Sequence, residues 1–180
     1  FVPAIARWMF GEPKAVLKEA LSRIDPWEPI HSKAPGAVLS VPESKGSSFY
    51  QASRAATYLA LSPHPPVEDG GTLVLRAACT EGVGSEKGFI AALQAHSPPW
   101  QTLLSGTPPG GAGAQRALML AKLAERFRLV VEDCTSPEEL QAVGIDASSS
   151  TKTYPTTWLR VPHPFQRLPQ YVCPPTTVTQ

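Results

Sequence analysis

The sequence predicts an α/β fold: a largely parallel sheet with helices on both faces. Three features predict it. Apolar runs at residues 37–41, 72–78 and 129–131 are short and flanked by breakers such as Pro42 and Gly71, as strands buried on both faces are. Segments of helical period separate these runs, the pattern of βαβ units and a parallel sheet. The chain has 180 residues, 42% hydrophobic and 17% charged, which suffices for one domain with a sizeable core.

The elements follow in order. Leu17, Ala20, Leu21 and Ile24 recur at i, i+3, i+4 and i+7, so residues 13–24 form a helix with Pro13 at its first position. Asp25 and Pro26 stop it, and a Pro-rich stretch leads to the strand at 37–41. Ser48 and Gln51 have the S-x-x-Q spacing of a capping box, so a helix starts there. Its apolar face is Ala52, Ala55, Ala56 and Leu59, with Gln51, Arg54 and Tyr58 on the other side. Prolines at 63, 65 and 66 break it, and Gly70 and Gly71 introduce the strand at 72–78. A turn follows, with Glu81 between Thr80 and Gly82, and Ser85 caps a helix to about residue 95. Residues 97–112 read as a Pro- and Gly-rich loop, and 114–126 as a helix burying Ala117, Leu120, Ala121 and Ala124. After the strand at 129–131, Ser136, Pro137 and Glu139 open another helix, which Gly144 ends. Residues 158–161 supply one more strand. Right-handed crossovers would make the whole a three-layer, Rossmann-like arrangement. Ligands in such folds favour the carboxyl ends of the strands, where loops begin at Pro42, Cys79 and Glu132.

Composition narrows the function. The net charge is +1 and no basic run occurs, so neither nucleic acid nor an anionic membrane is an expected partner. No apolar stretch approaches the ~20 residues of a membrane span, and no signal peptide is visible. Cys79, Cys134 and Cys173 are odd in number and lack C-x-x-C spacing, which argues against a disulfide framework and a thiolate metal site. His31, His64, His96 and His163 form no metal-binding pair. A cytoplasmic protein with no metal or cofactor of its own in this chain is the expectation.

Several residues are candidates for chemistry. Gln51 and Arg54 lie three apart on a helix and present an amide and a fixed cation to one ligand, a natural pair for a carboxylate. The nearby helix N-terminus adds a favourable field. The plainer alternative has Gln51 closing the capping box and Arg54 in water. Glu81 in its glycine turn is a candidate proton acceptor. Gly106 to Gly113 looks like a phosphate loop but lacks the GK[ST] ending. Gln115 and Arg116 open the helix after it. Cys79 and Cys134 follow strands, and inert buried thiols are the default.

The order of motifs between Gly36 and Gly144 carries a resemblance. Residues 37–41 form a strand; Tyr50, Gln51, Ala52, Ser53 and Arg54 open a helix; Glu68 to Leu75 contain an Asp-Gly-Gly-Thr strand; and Glu81, Gly82, Val83 and Gly84 form an acidic Gly-x-Gly turn. This series resembles the C-terminal domain of the lactate racemase (LarA-type) family, whose corresponding helix opens Tyr-Gln-Ala-x-Lys. Gly111 to Ala117 resembles that family's Gly-x-His-Lys-Ala segment, and Phe10 to Pro13 the join between the two family domains. The resemblance implies that Tyr50, Gln51, Arg54, Gln115 and Arg116 face a small 2-hydroxy acid. Arg54 stands for the family's lysine, keeping the charge but not the readiness to exchange a proton. Gln115 and Arg116 stand where relatives carry His and Lys. The family's N-terminal domain holds a nickel-pincer nucleotide, and the resemblance implies hydride removal from the substrate carbon and return to either face.

The expected organisation is an inter-domain connection and helix at 1–35, an α/β substrate-binding domain at 36–162 and a Pro-rich tail at 163–180. The expected function is the substrate-binding half of a 2-hydroxy-acid racemase or epimerase. Its cofactor-carrying N-terminal domain is missing from this chain, which begins at Phe1 and on its own is inactive. The alternative is a non-catalytic small-molecule or nucleotide-binding module on the same scaffold.

Overall fold

The computed structural model describes residues 8–23, 27–95, 100, 102–106 and 110–172. Cys173, His96, Ile24 and part of the glycine loop before residue 110 lie outside these residues.

Helix α1 (Pro13–Arg23) forms where the periodicity places it, yet buries none of its residues; Leu17 and Leu21 are exposed. Strand β1 (Trp27–Ile30) leads to β2 (Ala34–Ser40), the centre of the fold. Ala37, Val38 and Leu39 of β2 are all buried because both faces of the strand are covered. A short turn of helix, α2 (Glu43–Gly46), precedes α3 (Phe49–Ala60), which buries the expected Ala52, Ala55, Ala56 and Leu59. Strand β3 (Val67–Arg76) starts earlier than residue 72 and runs alongside β2. Then come α4 (Lys87–Ala95), α5 (Thr102–Ser105), α6 (Ala114–Ala124) and β4 (Arg128–Glu132). The stretch read as a loop at 97–112 thus contains one helical turn. Helix α7 (Pro137–Gln141) begins at its proline and closes where expected: Ile145 donates to the Leu140 carbonyl and Gly144, at φ +81°, to that of Gln141. Strands β5 (Asp146–Ala147), β6 (Leu159–Val161) and β7 (Leu168–Tyr171) complete the chain.

Five strands form one sheet in the order β5-β4-β3-β2-β6, parallel at every pairing. From β2 to β5 the chain always steps to the same side. Right-handed crossovers then stack the connecting helices on one face. Buried residues of α3, α4, α6 and α7 accordingly share one core with Leu39, Leu73, Leu75 and Val131. After β5 the chain returns to the far edge, beside β2. The second face holds Val38, Val74 and Val130 under Tyr154 and Trp158 of that return segment. Helices, parallel sheet and this thinner outer layer give a three-layer α/β fold. Strands β1 and β7, from the segments flanking residues 36–162, pair with each other in a separate parallel ladder.

Two contacts hold the outer layer down. Trp158 stacks with Tyr154 at 4.6 Å between ring centroids, and it lies so close over Gly36 that a Cβ there would sit 2.6 Å from the indole. Glu132, fully buried at the end of β4, accepts a 2.5 Å hydrogen bond from the Tyr154 hydroxyl and one of 3.2 Å from the Lys152 amide. Arg76, opposite Glu132 in the ladder, places its Nε 3.5 Å from the same carboxylate and donates from Nη2 to the Lys152 carbonyl. Burial, reinforced by the bond to Glu132, pushes the Tyr154 phenol up to about 12.

Two expected outcomes follow. Gly36→Ala should cost roughly 1–3 kcal/mol by forcing Trp158 off the sheet, whereas Gly110→Ala, with open space at its Cβ, should leave the urea midpoint unchanged. The raised Tyr154 pKa means that the folded protein keeps a proton that the unfolded chain releases near pH 10, so stability falls as pH rises from about 10 to 12. Urea midpoints at pH 9 and pH 11.5 should show a larger drop for the wild type than for Tyr154→Phe; equal drops would remove Tyr154 from the account.

Candidate functional site

Helices α3 and α6 both start at the carboxyl edge of the sheet and lie side by side on its main face. Small residues make this possible. Ala52, Ala55, Ala56 and Ala60 let α3 settle on the sheet, and Ala117 and Ala121 do the same for α6. What remains outward on the two helices includes Arg54, Tyr58, Arg116 and Met119.

The start of α3 is not capped as the S-x-x-Q spacing predicts. Ser48 is the N-cap but makes no side-chain capping bond. The first amides of the helix are taken instead by the turn after β3: Phe49 N–H donates to the Gly82 carbonyl at 2.9 Å and Tyr50 N–H to that of Val83 at 3.0 Å. A backbone carbonyl in the right place outcompetes a short side chain. The anion site expected from the α3 N-terminus is therefore filled by the protein itself.

Positive charge is supplied by side chains. Arg54 and Arg116 approach each other across the α3–α6 contact. Arg116 donates from Nη1 to Thr57 Oγ1 at 2.9 Å. Its pKa is lowered, first by burial and then by the charge of Arg54. Arg54 lies over the Tyr50 ring, 5.5 Å from its centroid, and its Nε is buried without a hydrogen-bond partner among the described residues. None of the ion pairs formed among the described residues involves Arg54 or Arg116. Two part-buried guanidinium groups with most of their donors unused form an anion site in waiting.

Of the five residues expected to face a ligand, Tyr50, Arg54 and Arg116 come together. Gln51 is half-buried nearby, and Gln115 is exposed in the first turn of α6. Glu81 is exposed, and its amide is bonded to the Ser47 carbonyl. Glu86, just before α4, lies beside Gly113 and Tyr50. Gly113, at φ +82°, permits this: a Cβ there would lie 2.8 Å from Glu86 Cβ and 3.1 Å from Tyr50 Cε2. Nothing in the spacing of Glu86 marks it out. Of the glycine loop, Gly111 and Ala112 rest against Gly88 of α4, where a Cβ would lie 2.6 Å from the Ala112 carbonyl oxygen.

Beneath the site, a 430 Å³ hollow continues from Arg116 along the two helices, lined by Thr57, Tyr58, Leu61, Arg116, Met119 and Leu168. Cys79 and Cys134 lie beside each other at the ends of β3 and β4, both buried and free. Burial, with the neighbouring Cys134, pushes the Cys79 thiol up to about 12, and burial raises Cys134 as well. Neither is a nucleophile at neutral pH.

Fold and site together define a parallel α/β domain with a cationic groove between two helices at its carboxyl edge. No protein-family model and no curated protein matches the sequence. Among solved structures the chain is similar to the lactate racemase apoprotein from Thermoanaerobacterium thermosaccharolyticum, with a TM-score of 0.61 and 15% identity. The match covers 78% of this chain and 36% of that one, so the chain spans little more than a third of the length of the racemase. The likeness is one of fold. Among the described residues no group of three or more His, Cys, Asp or Glu side chains could hold a metal ion. No helix among them is long and apolar enough to cross a membrane.

The thiol assignment has a direct check. In a Cys173→Ser variant, an aromatic disulfide reagent at pH 8 should label no thiol in the native protein and two after denaturation in guanidinium. Rapid native labelling at either position would make that cysteine reactive after all.

Proposed function

We propose that this chain is the substrate-side domain of a lactate-racemase-like enzyme and that it holds the carboxylate of a 2-hydroxy acid between Arg54 and Arg116. The observation that carries the reading is the pair of guanidinium groups brought together, part-buried, with no ion pair to a carboxylate among the described residues. A bound carboxylate would accept charge-assisted bonds from both and relieve their mutual repulsion.

The chain's own residues bind and orient. Tyr50 supports the Arg54 guanidinium from below, and Thr57 fixes the rotamer of Arg116. Gln51, three residues before Arg54, offers an amide to the 2-hydroxyl. Neither arginine exchanges protons readily near neutrality, so these two side chains grip the substrate and leave its second carbon to other groups. No step through the family's cofactor is assigned to this chain. Arg54 in place of the family's lysine favours a second reading, a module that binds without turnover; bound lactate that keeps its optical purity would support it.

Calorimetric titration with lactate tests the site. Arg54→Ala and Arg116→Ala should each weaken binding roughly ten- to hundredfold, the worth of a charge-assisted hydrogen bond of ~1.5–3 kcal/mol, with little change in melting temperature. Arg54→Lys should recover part of the loss. Lactate affinity unchanged in both alanine variants would remove the arginine pair from the site.

A further inference from the structure

The arginine pair lies at one end of a longer groove, and the rest of that groove has the opposite chemistry. On α3, Arg54, Thr57, Tyr58 and Leu61 follow one stripe at i, i+3, i+4 and i+7. On α6, Arg116 and Met119 face the same way, three residues apart. Polarity thus changes from cationic to apolar over about 10 Å, the rise of seven helical residues.

The apolar end is an open groove between the two helices. Its volume is 430 Å³. Pockets that enclose small organic ligands run to roughly 300–1,000 Å³, whereas a water molecule takes only about 30 Å³ of liquid, so a three-carbon acid would leave most of the space empty. Tyr58, Leu61 and Met119 are 47%, 36% and 44% exposed, although each is large and apolar. Single exposed apolar side chains are ordinary; three that converge on one concavity beside an unneutralised cation are the mark of a ligand site. Arg116 and Thr57 belong to both halves: they join in the 2.9 Å hydrogen bond at the cationic end and they line the hollow. A ligand held at the arginines would have its substituent directed along the groove.

We infer that the α3–α6 groove selects a carboxylate bearing a bulky apolar side chain, such as a 2-hydroxy acid of six or more carbons or an aromatic one, in preference to lactate. The inference rests on the reading of Arg54 and Arg116 as the carboxylate holder. The unpaired cations decide in favour of a small anionic amphiphile, since a protein partner seated only on Tyr58, Leu61 and Met119 would leave them unsatisfied.

Calorimetry with lactate, 2-hydroxybutanoate, 2-hydroxyhexanoate and 3-phenyllactate, on wild type, Arg54→Ala, Leu61→Asn and Met119→Gln, tests it. Wild-type affinity should rise about fourfold per added methylene, the worth of burying one such group. Leu61→Asn and Met119→Gln should flatten that rise, seen as a collapse in the ratio of hexanoate to lactate affinity. Arg54→Ala should weaken every acid by the same factor. Lactate binding that depends on Arg54 but shows no gain with chain length would overturn the groove inference and leave the carboxylate site standing. Failure of all acids to bind, or binding indifferent to Arg54→Ala, would overturn both. Light scattering covers the remaining case: a dimer that Met119→Gln and Leu61→Asn dissociate would make the hollow a contact between copies of this chain and overturn the inference.

Discussion

Four backbone hydrogen bonds lock the segment after β2 to the turn after β3. Cys79 N–H donates to the Gly46 carbonyl, Glu81 N–H to that of Ser47, Phe49 N–H to that of Gly82 and Tyr50 N–H to that of Val83, all at 2.7–3.0 Å. The price is conformational: Cys79 sits at φ +44°, Gly82 at +55° and Gly84 at +114°. The return is that α3 begins at one fixed point, with its first residues held to the neighbouring strand's loop. Tyr50, and through it Arg54, inherits that position. The same bonds take the first two amides of α3, which leaves the side chains as the main means of meeting an anion at this edge.

The charge pattern of the molecule sets the two groove arginines apart. Elsewhere among the described residues Arg160 donates to backbone carbonyls, while Arg23 pairs with Glu19, Arg76 with Glu132, Arg126 with Asp69 and Arg128 with Asp146. The last two pairs are exposed and contribute little to stability. Glu132 is different, since a fully buried carboxylate needs its bonds to Tyr154 and Lys152 and its contact with Arg76 to be tolerated. That cluster pins the outer layer and bonds both oxygens of the carboxylate, although Arg76 Nε, 3.5 Å away, makes no hydrogen bond. Arg54 and Arg116 meet the opposite condition, with like charges adjacent and donors free. Adjacent like charges are unfavourable to a fold, which is the physical ground for the binding role proposed for the pair.

Much of the fold was legible in the sequence because the signals were local. The Val- and Leu-rich cores of β2, β3 and β4, the alanine face of α3 and the Pro137 and Gly144 boundaries of α7 each follow from residue type and spacing. What was missed depends on distant partners. The capping box failed because Gly82 and Val83, more than thirty residues on, supply better acceptors for α3. Strands β1 and β7 are short, contain prolines and find each other only in three dimensions. Gly36 precedes the strand read at residues 37–41, yet it lies inside β2, where its missing Cβ makes room for Trp158. In the site, Tyr50, Arg54 and Arg116 were legible through a motif, whereas the close packing of Gly113 against both Glu86 and Tyr50 depends on its missing Cβ and has no local signal.

The Arg54 guanidinium also bears on what kind of site this is. A lysine at that position would bring a point charge that can shed its proton when buried; arginine brings a planar fork that keeps its charge. Beside Arg116, whose pKa burial and the neighbouring Arg54 lower, the Arg54 fork would add donors to the grip on an anion in the proposed site. Such a site gains in grip what it loses in acid–base range. Selectivity must then come from the part of the ligand beyond the carboxylate. In the proposed site that part would meet Tyr58, Leu61 and Met119, so head and tail would be read by the same two helices, whose spacing is set by the alanines they bury against the sheet.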